Sequence, residues 1–193
     1  MAETQKKPGY VDYPFVGKTL DLRGVRMNYV DEGPRDAPPV LMLHGNPTWS
    51  FYYRRLIAAL SGKHRVIVPD HVGMGLSDKP DESKYDYTLA RRVVDLEKLV
   101  ASLGLRQPLT LVVHDWGGPI GLRIAIEQPE RVARIVVMDT GLFTGHQHMS
   151  DAWKMFRDFV ERTEDLPISM LVRNACKNDP GDEVAAAYDA PFP

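Results

Sequence analysis

The residue type best placed to do chemistry in this chain is a carboxylate, Asp115, in the stretch Leu111-Val112-Val113-His114-Asp115-Trp116-Gly117-Gly118. An apolar β-branched run ends there at polar residues and two glycines. A second apolar stretch follows through Ile120, Leu122, Ile124, Ala125 and Ile126. That order spells a buried strand, a tight turn and a helix. A side chain at the tip of such a turn is held rigidly at the carboxyl end of a sheet, above a helix N-terminus. Serine is the common occupant of such an elbow and leads to acyl transfer. A carboxylate attacks carbon and forms an ester, which shifts the expected chemistry toward opening C–X bonds.

The elements that must position Asp115 alternate. Lys18–Arg23 and Val25–Val30 alternate around Arg23-Gly24 and predict a hairpin or two short strands, after a loose lead-in over residues 1–15. Asp31–Pro39 is turn chemistry, and Val40–Leu43 a buried strand running into His44-Gly45-Asn46-Pro47-Thr48. Ser50 is the expected N-cap of a helix through Leu56, Ile57, Ala59 and Leu60. Arg65–Pro69 predicts a strand, Tyr87–Leu103 an amphipathic helix, and Ala133–Met138 a sixth strand. Strands alternating with helices imply a mostly parallel sheet covered on both faces. Beyond Gly145 the pattern changes to three helical pieces: one from a Ser150 cap through Val160, one over Pro167–Cys176, and one over Glu183–Ala187. The expected organisation is a core over 1–149 and an incomplete helical cap over 150–193.

Composition bounds the partners. The 193 residues are 44% hydrophobic, enough for one domain with a proper core, and the formal charge is −2. No basic block interleaves with aromatics, which argues against nucleic acid as a partner. Cys176 is the single cysteine, so no intrachain disulfide forms, and a cytoplasmic location is expected. Residues Met1–Gly9 lack an apolar core for a secretory signal, and no stretch reaches membrane-spanning length, so no membrane partner is expected.

Four blocks together resemble the haloalkane dehalogenases of the α/β-hydrolase superfamily. They are His44-Gly45-Asn46-Pro47-Thr48-Trp49-Ser50, the loop Pro69–Pro80 (Pro69-Asp70-His71-Val72-Gly73-Met74-Gly75-Leu76-Ser77-Asp78-Lys79-Pro80), Val113–Gly118, and Ala187-Tyr188-Asp189-Ala190-Pro191-Phe192-Pro193. The resemblance runs from about Tyr29 onward. It implies an α/β-hydrolase fold with flanking helices and the start of a lid. It also implies hydrolysis of haloalkanes to alcohol and halide through an aspartyl ester, with no cofactor and no metal. The partners would be a halogenated small molecule, water and halide, and the complete protein a monomer. Carried over by position, Asp115 is the nucleophile and is already ionised at neutral pH. Trp116 donates its indole N–H to the halide and its backbone N–H to an oxyanion. Asn46 is the second donor through its side-chain amide and completes the oxyanion hole with its backbone N–H.

Outside this context Asp115 reads as an N-cap, Asn46 as a turn residue and Trp116 as core. Trp49, Phe51 and Tyr52 read as packing or pocket wall, and His44, His71 and His114 as structural. Cys176 is expected to pack within the lid. The family's catalytic histidine follows the last strand of its sheet, and no histidine here stands at that position. His146 and His148 fall at the expected lid entrance and take no role. Asp139, after the sixth strand, matches the acid position of one subfamily and reads either as that acid or as a polar strand end. The expectation is therefore a C-terminally truncated member with its last strands missing and its sixth strand left as an open edge. Such a chain would form the ester but not hydrolyse it efficiently.

Three rival readings remain. A dehalogenase-like branch that opens and decarboxylates β-lactones shares Asn46, Asp115 and Trp116. Epoxide hydrolases use the same elbow but polarise the epoxide with lid tyrosines, of which only Tyr188 is present. A non-catalytic remnant would keep the pocket without turnover.

Overall fold

The computed structural model describes residues 9–142 and 145–192. Six strands form one sheet in the order β1-β2-β4-β3-β5-β6. β1 (Lys18–Asp21) and β2 (Arg26–Glu32) make the expected hairpin, with Lys18 opposite Tyr29. β2 runs antiparallel to β4 (Arg65–Pro69), while β3 (Pro39–Leu43), β4, β5 (Leu109–His114) and β6 (Val132–Met138) are mutually parallel. The chain therefore has a mostly parallel mixed sheet flanked by helices.

β3 and β4 are buried along their whole length, which is why both read as unbroken apolar runs rather than alternating ones. Period-two geometry then deals their side chains to two cores. Leu41, Leu43, Ile67, Leu111 and Val113 face α2 (Leu89–Ser102) and α3 (Gly117–Glu127), meeting Leu96, Leu99, Ile120 and Ile124. Val40, Met42, Val66, Val68 and Val112 face the other way, toward Trp49, Phe51, Tyr53 and Ile57 of α1 (Arg54–Leu60). Each fully buried aliphatic or aromatic side chain contributes roughly 1.5–3 kcal/mol, and the central strands collect most of that gain.

Three details of the core differ from the sequence reading. The lead-in is packed over its described part: Tyr13 is buried and its hydroxyl meets Ser50 Oγ at 2.6 Å, while residues 1–8 lie outside the described residues. Ser50 is consequently no cap. Its hydroxyl is taken by Tyr13, its N–H donates to Asp70, and a single 3-10 turn (Ser50–Tyr53) leads into α1 without a side-chain cap. The long helix starts at Leu89 rather than Tyr87, because Thr88 Oγ1 accepts from Arg91 N–H and Tyr87 donates its hydroxyl back to Pro80 O.

After β6 come α4 (Asp151–Arg162), α5 (Ile168–Ala175) and α6 (Asp182–Asp189). Ser150 caps α4 as expected, accepting from Trp153 N–H at 3.2 Å. Ile168, Ala187 and Tyr188 pack into the core beneath Trp49 and Phe51, while α4 leaves Met155, Phe156 and Phe159 exposed. Cys176 does not pack. It stands one residue past α5 in extended backbone, off the helix's inward face, and is exposed.

Candidate active site

β5 ends at His114, and Asp115 turns the chain through a left-handed conformation (φ 49°) into α3. A non-glycine residue there costs of order 1–3 kcal/mol and persists only where its surroundings over-determine it. The surroundings here are explicit. Asp115 N–H donates to Asp139 O at 3.2 Å, and Thr140 Oγ1 donates to Asp115 O at 2.5 Å. Gly118 N–H also donates to Asp115 O, at 2.9 Å. The glycines follow from crowding. A Cβ on Gly117 would collide with the backbone carbonyl of Leu43, and one on Gly45 with the Asp115 side chain itself.

The loop after β3 faces the elbow. Asn46 N–H donates to Asp115 Oδ1 at 2.8 Å, across 69 residues of sequence, and the Asn46–Pro47 peptide is cis. Thr48 closes this loop on Gly45 O with both its N–H and its hydroxyl, each at 3.0 Å. Beneath it lies Asp70, fully buried, whose carboxylate accepts from Ser50 N–H (2.7 Å), Asn28 Nδ2 (2.9 Å) and Leu76 N–H (2.9 Å). One carboxylate thus ties the Asn46 loop to β2 and to the loop after β4. Little in the local sequence marks Asp70 for this work, since two of these three partners are 20 and 42 residues away.

Asn46 and Trp116 line one cavity of about 270 Å³ together with Gly45, His71, Met74, Tyr87 and Arg92. Trp116 is 42% exposed, so the indole is not core. Of the four sequence candidates, Asp115, Asn46 and Trp116 converge. Asp139 lies alongside: its carbonyl holds Asp115, its backbone is also left-handed (φ 34°), and its side chain is exposed.

The histidines sort differently. His44 is fully buried; its Nδ1 bonds Gly45 O at 2.9 Å and its Nε2 accepts from His71 N–H at 3.1 Å. Burial pulls both imidazoles below their ordinary range, His71 furthest, so both are neutral. His114 stacks on Tyr52 with ring centroids 4.5 Å apart. His146 and His148 are exposed in the segment before α4. Among the described residues no histidine hydrogen-bonds Asp115.

The carboxylate elbow and its facing loop place the chain in a class, and comparison with known proteins agrees. A family model of the alpha/beta hydrolase fold matches residues 38–187, and the chain belongs to that family. It is similar to a cis-3-alkyl-4-alkyloxetan-2-one decarboxylase of Shewanella oneidensis, 47% identical over 165 residues, 86% of this chain and 46% of that protein. A haloalkane dehalogenase of Mycolicibacterium paratuberculosis is 43% identical over 188 residues, 94% of this chain and 62% of its own length. The structure of the haloalkane dehalogenase DpaA from Paraglaciecola agarilytica NO2, described as tetrameric, superposes with a TM-score of 0.87 at 33% identity, over all of this chain and 67% of that one. The chain therefore spans about half to two thirds of the length of these relatives. No described helix is long and apolar enough to cross a membrane.

Proposed function

We propose that this chain carries the carbon-attacking part of a haloalkane dehalogenase, with Asp115 as nucleophile and Asn46 and Trp116 as the cradle for the departing halide. The observation that carries this is the Asn46 N–H on Asp115 Oδ1 at 2.8 Å, beside a cavity that Asn46 and Trp116 share. With Oδ1 held, Oδ2 is the oxygen that attacks. It forms a C–O bond as the C–X bond breaks, and the halide leaves with the bonding pair. The ester carbonyl is then Oδ1. When water adds to Cγ, the negative charge develops on that same atom, where the amide donor already stands; such a donor is worth roughly 3 kcal/mol. Addition of water requires a base to take its proton, and no described histidine is placed for it.

The dehalogenase matches extend over 188 and 189 residues and so take in nearly all of the helical stretch after β6, which we assign as the cap. A second reading has its own support. The decarboxylases are more alike, at 47% and 51%, over shorter stretches of 165 and 140 residues. There the same carboxylate would open a strained four-membered lactone. Epoxide opening is less well supported, since Tyr188 is 4% exposed with its ring edge-on to Phe51 at 5.0 Å.

The test uses the 193-residue chain with 1-bromohexane and, separately, with a cis-3,4-dialkyl oxetan-2-one. The expected result is bromide release of no more than one equivalent, with a hexyl adduct on Asp115 by intact mass and none in Asp115→Asn. Decarboxylation without halide release would transfer the assignment to the lactone reading. Absence of both would leave a binding remnant, and sustained turnover would overturn the missing-base argument.

A further inference from the structure

The cavity that begins at Asn46 and Trp116 continues to two groups the proposed reaction does not use, Arg92 and His71. Arg92, in the first turn of α2, is half-buried, and among the described residues no carboxylate pairs with it. It is nonetheless held in place. One Nη1 donor goes to Val72 O at 3.0 Å, and the guanidinium carbon lies 5.8 Å from the centroid of Tyr87, whose hydroxyl is anchored on Pro80 O. A guanidinium carries five donors in a planar fork, so most of this one's hydrogen-bonding capacity is uncommitted.

His71 is 3% exposed, and its Nε2 has no hydrogen-bond partner. Burial keeps its ring neutral, so one ring nitrogen carries a lone pair, and Nε2, the nitrogen without a partner, can present it to a ligand. A buried acceptor left without a donor costs about 1–3 kcal/mol, so a ligand that supplies a donor recovers that loss. Among the described residues that line the cavity none is acidic, and the Asp115 carboxylate beside it is held at Oδ1 by the Asn46 N–H. The wall therefore offers a fixed cation, an orphaned acceptor and, in Tyr87 and Met74, an apolar flank.

We propose that this cavity binds a short hydroxycarboxylate, its carboxylate on the Arg92 fork and its hydroxyl donating to His71 Nε2. The proposal deepens the reading above by naming an anionic, hydroxylated ligand class beside the Asp115 elbow. It predicts that compounds of this kind compete with substrates for the site. Arg suits the role because its planar N–H pair matches both carboxylate oxygens, and His71 supplies selectivity by accepting where a bare carboxylic acid has nothing to donate.

The experiment titrates the intact chain with 3-hydroxybutyrate and with butyrate, read by calorimetry and by the fluorescence change of the cavity-lining Trp116. The expected result is saturable binding of both, with 3-hydroxybutyrate about fivefold tighter, the size of one neutral hydrogen bond. Arg92→Gln should weaken both at least tenfold, and Arg92→Lys, which keeps the charge without the fork, should fall between. Equal affinity for the two acids, unchanged binding by Arg92→Gln with an unaltered melting profile, or no binding to the wild-type chain would each overturn the proposal. Ester formation on Asp115 is read separately by mass, so failure of that chemistry leaves this titration decisive.

Discussion

β5 and β6 lie side by side, run parallel, and each is followed by an aspartate in left-handed backbone, yet they live in different environments. β5 has strands on both sides and is buried along most of its length. β6 closes the sheet among the described residues, and Ile135, Val136 and Val137 are 45%, 44% and 58% exposed. Asp115 inherits a rigid frame: Leu43 presses on Gly117 from one side, the Asn46 loop holds the carboxylate, and Asp70 holds that loop. Asp139 contributes a carbonyl to the same frame and leaves its side chain in solvent. A nucleophile must stay in one geometry to gain from orientation, and only the β5 side supplies one. The closed side should therefore be costly to disturb and the open side tolerant.

The largest effect is expected far from the elbow, in the closed half. Asp31 on β2 is buried and pairs with the buried Arg65 on β4, Nε to Oδ1 at 2.9 Å and Nη2 to Oδ2 at 3.2 Å. Lys18 and Arg35 add to the same carboxylate. Asp31→Ala leaves Arg65 charged and uncompensated, and denaturant unfolding should show a loss of ~3–5 kcal/mol. Burial raises the Asp31 carboxyl, but its hydrogen bonds to Arg65 and Lys18 outweigh that and hold it below its ordinary value. A folded pKa below the unfolded one contributes stability that is full above the unfolded value of about 3.9 and is lost as pH falls through the folded value. Asp31→Asn should accordingly flatten that acid limb, and an unchanged limb would remove Asp31 from the account. A smaller cost belongs to the elbow. Gly117→Ala drives a methyl into the Leu43 carbonyl and should lose ~1–3 kcal/mol, with Asp115 alkylation falling further than stability does.

The contrast between the two sides also marks what the sequence could tell. The elbow was legible because its signal is local: β-branched run, polar tip, paired glycines and apolar helix all fall between Leu109 and Glu127. The place of β6 beside β5, at the border of the sheet among the described residues, was legible too, from the order of strands and helices. The supports were not. Asp31 reads as turn chemistry until Arg65, 34 residues on, is placed against it. Ser50 has the type and position of a cap, and only the fold reveals that Tyr13 has taken its hydroxyl. His71 and Arg92 carry no motif that joins them, and they meet only because the loop after β4 and the start of α2 border one cavity.

The smallest expected effect tests the open side directly. Val137 on β6 projects largely into solvent, opposite Val113 of β5 in register. An apolar strand with an unpaired edge is a template for further pairing, and a lysine on it deters that pairing by charge and desolvation cost. Val137→Lys replaces a side chain that buries little, so its unfolding free energy should stay within about 0.5 kcal/mol of the parent. Its gain should appear instead as a higher concentration at which light scattering first reports association. If the substitution cost as much as Gly117→Ala, β6 would be as firmly built into the fold as β5, and the division between a rigid and a tolerant side of the elbow would fail. If it left association unchanged, the exposed strand would not be the surface through which copies meet, and α4 with Met155, Phe156 and Phe159 would be the next face to charge.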